Sequence, residues 1–73
     1  MANNPSEAKP NTKEWVAEVR ARGGRQWACV DAGTEPDTVA ACRASVERKR
    51  SAYPDPSIEY RIRNVRTNED VEV

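Results

Sequence analysis

The sequence predicts an α+β fold of β-β-α-β order, with a three-stranded antiparallel sheet in the order 2-1-3 and one helix packed on one face. Three observations lead there. Apolar and polar residues alternate on both sides of Arg22-Gly23-Gly24-Arg25, as in a β-hairpin. Apolar residues then recur at helical spacing behind Thr34-Glu35-Pro36-Asp37, and a second alternating run follows Pro54 and Pro56.

Residues 1–12 hold two prolines and nothing large and apolar, so burial cannot offset the entropy of ordering them, and a disordered arm is expected. The single domain spans residues 13–67. Its first strand covers about Glu14 to Ala21, with Trp15, Ala17, Val19 and Ala21 on one face and Val16, Glu18 and Arg20 on the other. Gly23 and Gly24 suit the two positive-φ positions of a type I′ turn. That turn sets Val19 opposite Ala28, Ala17 opposite Val30 and Trp15 opposite Ala32. The core face of the hairpin then holds Trp15, Ala17, Val19, Ala28 and Val30, while Trp27, Cys29 and Asp31 point the other way. A bulged loop would shift the pairing by one and bring Trp27, Cys29 and Asp31 inside. Burying an unpaired carboxylate and exposing Val30 both cost free energy, which favours the two-residue turn.

Thr34 is the expected N-cap, with Pro36 early in the first turn and acidic residues near the positive end of the dipole. The stripe Val39, Cys42, Val46 and Tyr53 makes the buried side of the helix, while Arg43, Glu47, Arg48 and Arg50 face water. The basic run Arg48-Lys49-Arg50 complements the C-terminal end of the dipole, and Pro54 and Pro56 stop the helix. The last strand, Ser57 to about Thr67, sets Ile58, Tyr60, Ile62 and Asn64 against the helix and Glu59, Arg61, Arg63 and Val65 on the far side. Residues 68–73 are an acidic tail expected to fray.

Composition narrows the function. A chain of 73 residues buries a modest fraction of its surface, so a partner or second copy would help to stabilise it. Twelve basic residues balance twelve acidic ones, unlike the basic excess of most duplex-DNA binders. No apolar run approaches the roughly 18 residues of a membrane span, and the N-terminus lacks the pattern of a secretory signal; the expected location is cytoplasmic. Two cysteines and no histidine do not complete a zinc site, no cofactor is implied, and reduced structural thiols are expected. With no histidine, no Gly-x-Ser-x-Gly and no phosphate-cradling loop, a non-enzymatic role is expected.

The candidate interaction face is the sheet surface away from the helix, with Val16, Arg20, Trp27, Arg61 and Arg63. Its expected role is to bind a protein partner or a second copy. The alternative is weak single-stranded nucleic-acid binding, the indole stacking on bases and the arginines meeting phosphates. Charges on an edge strand also serve simply to prevent edge-to-edge aggregation, which Arg61 and Arg63 could do.

Trp15-Val16-Ala17-Glu18-Val19-Arg20, Gly24-Arg25-Gln26-Trp27, a capped alanine-rich helix and Tyr60-Arg61-Ile62 together resemble small accessory proteins of phages and of bacteria with Arg- and Ala-rich proteomes. The resemblance covers about residues 14–67 in organisation, and most such proteins have no assigned function. The hairpin followed by a helix is similar to the arm-type DNA-binding domains of tyrosine integrases, from which this chain departs by placing its third strand after the helix. The order also resembles half of a ferredoxin-like repeat, which implies pairing with a second copy.

Overall fold

A computed structural model of the chain describes residues 8–31 and 35–73. It is an α+β fold: β1 (Trp15–Ala21), β2 (Ala28–Cys29), α1 (Val39–Ala52), β3 (Ile58–Asn64) and β4 (Asp70–Val71). The strands form one antiparallel sheet in the order β2-β1-β3-β4, so the expected arrangement of three strands is present and a fourth extends it.

The hairpin has the register of the two-residue turn, pairing Glu18 with Cys29 and Val19 with Ala28, and Val30 donates its N–H to the Ala17 carbonyl at 3.0 Å. The turn itself differs from type I′. Gly23 alone has a positive φ, +79°, and Gly24 donates to the Ala21 carbonyl at 2.7 Å, so Arg22 and Gly23 are the central residues. A Cβ on Gly24 would lie 2.8 Å from the Ala21 oxygen, so this glycine serves close approach rather than left-handed backbone. β2 is accordingly only two residues long, Ala28 is exposed rather than core, and Ala32 lies outside the described residues.

Trp15 pairs instead with Asp37 through two backbone bonds, Trp15 N–H to the Asp37 carbonyl at 2.9 Å and the reverse at 2.7 Å. This pairing holds Asp37 extended and moves the start of the helix. The N-cap is Thr38, not the expected Thr34, which lies outside the described residues. Thr38 Oγ1 accepts from the Ala41 N–H at 3.2 Å, and Asp37 Oδ1 accepts from the Thr38 N–H at 2.8 Å. Pro36 therefore precedes the helix, and α1 has no acidic residue in its first turn. At the other end Tyr53 is the C-cap and is 63% exposed, outside the stripe that was expected to include it.

The core lies between α1 and the sheet: Trp15, Val30, Val39, Cys42, Val46 and Ile62, with Ala17, Val19 and Tyr60 packed on it. Val39, Cys42 and Val46 are the buried residues of the helix, as their spacing predicts. Two segments expected to be loose are docked. Residues 8–12 of the arm sit at the start of the helix, where Trp15 Nε1 donates to the Lys9 carbonyl at 3.0 Å and the Val39 N–H to the Pro10 carbonyl at 2.9 Å. Residues 1–7 of the arm lie outside the described residues. In the tail, β4 pairs Val71 with Ile62 and Asp70 with Arg63.

The fully buried Asn64 builds the turn into β4. Its Oδ1 accepts from the N–H groups of Arg66 (2.8 Å) and Thr67 (2.9 Å), and Asn68 adopts φ +66°. β3 thus ends at Asn64, short of the Thr67 expected for it.

Two stability measurements check this account. Thr38→Ala lowers unfolding free energy by about 1 kcal/mol, the usual effect of losing a cap. Ile62→Ala, at a side chain with no exposed surface, lowers it by about 2–5 kcal/mol. Urea titration followed by circular dichroism reads both, and an unchanged midpoint for either variant would contradict the corresponding contact.

Candidate functional site

The sheet face away from α1 is built by cross-strand pairs. β1 and β3 set Val16 opposite Arg63, Glu18 opposite Arg61 and Arg20 opposite Glu59. Opposite charges placed directly across an antiparallel pair attract without large side-chain reorganisation. Arg20 Nη2 lies 3.0 Å from Glu59 Oε2. Arg61 Nε lies 2.7 Å from Glu18 Oε1, and Arg63 Nε approaches the same oxygen at 3.0 Å. Arg63 also donates to Glu18 Oε2 at 3.3 Å and to Asn68 Oδ1 at 3.2 Å.

Trp27 joins this network. Its ring centroid lies 4.4 Å from the Arg20 guanidinium carbon and 4.2 Å from that of Arg61. Both distances are within cation–π range, and planar guanidinium groups stack well on indole. Trp27 is half-buried against its own arginines. Of the five candidate residues, Arg20 and Arg61 both pack on Trp27, and Arg63 is tied to Arg61 through Glu18. Val16 sits beside Arg63 on the same face but makes no polar contact.

Glu18, expected among the outward-facing residues, is the hub and is 8% exposed. Burial pushes its carboxyl up, but the hydrogen bonds from Arg63 and Arg61 outweigh that and hold it below its ordinary value. Glu59 pairs with Arg20 alone. The sequence places both on this face but does not pair them with the arginines, because that pairing depends on the β1–β3 register and nothing local specifies it. Arg61 and Arg63 do not form a free edge either, since β4 covers β3 at Ile62 and Arg63.

Both cysteines are free. Cys42 is buried, its Sγ donates to the Trp15 carbonyl at 3.3 Å, and burial, aided by the charge of Asp37, raises its pKa. Cys29 is exposed on the far face, as the favoured hairpin register requires. Both line a crevice of about 50 Å³ between β1 and the start of α1, room for only a few waters.

The fold and this face define a small α+β domain with an ordered aromatic and arginine surface. Compared with protein-family models, with curated proteins and with solved structures, the chain gives no match. Among the described residues, no helix is long and apolar enough to cross a membrane, and no group of three or more potential ligands is placed to hold a metal ion.

The depressed pKa of Glu18 fixes the sign of a pH effect. A carboxylate bound more tightly in the folded state contributes fully above its unfolded pKa, and that contribution disappears as pH falls through the folded value. Glu18→Gln should therefore destabilise the protein by about 1.5–3 kcal/mol near neutrality, the range for hydrogen bonds to a charged group. The gap between variant and parent should narrow steadily below about pH 4. Thermal denaturation across pH reads this, and a gap independent of pH would remove Glu18 from its central position.

Proposed function

We propose that the protein is a non-enzymatic interaction module that binds a protein surface, a partner's or a second copy's, through the open face of its sheet. The observation that carries this reading is Trp27 held against Arg20 and Arg61 while Glu59 and Glu18 neutralise those arginines. Tryptophan and arginine dominate the binding energy of protein interfaces, and side chains already held in place lose little entropy on docking. A surface whose arginines already pair with its own carboxylates also meets another protein without a large desolvation penalty for unpaired charge.

The same pairing weighs against nucleic acid at this face. A phosphate approaching Arg20, Arg61 or Arg63 must compete with a carboxylate already within 3.0 Å of each guanidinium. A base must likewise displace arginine from the indole.

Sedimentation over a wide concentration range is the direct test, with Trp27→Ala in parallel. Self-association that weakens by at least about tenfold in the variant, as for a hot-spot residue, supports the face as a contact between copies. A parent that stays monomeric removes the second copy as occupant, and a Trp27→Ala variant that keeps every interaction of the parent overturns the role of the face.

A further inference from the structure

The arginines of the open face are paired, but seven other cations have no ion-pair partner among the described residues; Lys9, Lys13 and Arg43 lie toward the start of β1 and α1, and the other four gather at the opposite end. α1 runs alongside β1 in the same direction. It begins beside Trp15, where Cys42 reaches the Trp15 carbonyl, and ends beside Tyr60, where the Arg50 guanidinium lies 5.3 Å from the ring. Tyr60 pairs with Val19, near the end of β1, and the Arg22 N–H donates to the Ser57 carbonyl at 2.7 Å. The hairpin tip, with Arg22 and Arg25, therefore shares an end of the molecule with Lys49 and Arg50 in the last turn of the helix. None of these four side chains has an ion-pair partner among the described residues, whereas Arg20, Arg48, Arg61, Arg63 and Arg66 each have one.

Little acid opposes them. Asp55 is bonded to the Ser57 N–H and hydroxyl, Glu59 is taken by Arg20, and Glu47 lies on α1 one turn before Arg50. The last helical carbonyls offset part of the charge of Lys49 and Arg50. A chain with a formal net charge of zero thus carries a basic end with four unpaired cations, whereas the opposite end mixes Asp37 and Asp70, beside Trp15 and Arg63, with Lys9 and Arg43. Tyr53 stands in the same basic end, 63% exposed, with the Lys49 ammonium 5.5 Å from its ring centroid.

We propose that this end, Arg22, Arg25, Lys49, Arg50 and Tyr53, binds single-stranded nucleic acid. The four cations meet consecutive phosphates, and a base stacks on the exposed face of Tyr53. Unpaired cations beside an accessible aromatic are what sequence-tolerant single-strand binding uses. An acidic protein segment would satisfy the charges but leave Tyr53 without a stacking partner. The site is separate from the open sheet face, so either can fail without the other.

Anisotropy of a short fluorescein-labelled single-stranded oligonucleotide, titrated with the full chain, tests it. Four phosphate contacts on a single strand give a slope of about −3 in log affinity against log salt, or about a 50-fold loss between 50 and 200 mM. The double variant Arg22→Glu, Arg25→Glu, at two exposed turn positions, should weaken binding by at least about tenfold and roughly halve the slope. Tyr53→Ala should weaken binding by about 5- to 150-fold, the range for losing one stacked base, with the slope kept. Trp27→Ala should bind as the parent does. The proposal is overturned if the oligonucleotide does not bind in low salt, if the double variant or Tyr53→Ala binds like the parent, or if Trp27→Ala abolishes binding. Equal affinity for polyglutamate also overturns it and makes an acidic protein the occupant.

Discussion

The burial of Trp15 is the constraint on which the rest of the fold depends. Its indole is 2% exposed, and burying a side chain of this size contributes about 4–6 kcal/mol of gross stabilisation, a large share for so short a chain. A buried indole N–H requires an acceptor, and the Lys9 carbonyl supplies it, which draws residues 8–12 onto the domain. The Trp15 backbone bonds Asp37 on one side and pairs with Asn64 on the other. One residue therefore joins the N-terminal segment, the start of α1 and the far end of β3.

On the other face of the sheet the organising group is a carboxylate. Glu18 accepts from two arginines and thereby fixes the Arg61 guanidinium that supports Trp27. Removing solvent from one carboxylate is unfavourable alone, but two guanidinium partners compensate, and the result is a set of polar side chains with one geometry rather than many. The face is ordered before any partner arrives.

Charge is sorted by the same topology. Cross-strand pairing neutralises the middle of the sheet, and the direction of α1 along β1 carries the basic last turn to the hairpin tip. A neutral total charge conceals this division, because composition counts charges without regard to where the chain places them.

The α+β class, the hairpin register, the buried stripe Val39, Cys42 and Val46, and the separation of Trp27 from Trp15 onto opposite faces were all legible in the sequence. Each rests on periodicity or on the cost of burying Asp31, and these act over a few residues. Arg20, Trp27, Arg61 and Arg63 were recognisable as sharing a face, but Glu18 and Glu59 were not recognisable as their partners. The turn, the helix start and β4 were beyond local reading for a related reason. Local sequence points to Thr34 as the cap, and the bonds between Asp37 and Trp15 move the helix start to Thr38. Two glycines could form a type I′ turn, but the approach of Gly24 to Ala21 makes another. The acidic tail becomes a strand because the buried Asn64 side chain ties down the turn that leads into it. The sequence by itself determined which residues are apolar, with what period and on which face of each element. Only the tertiary structure decided where those elements begin and which charges meet, because those outcomes depend on hydrogen bonds and ion pairs between residues distant in the chain.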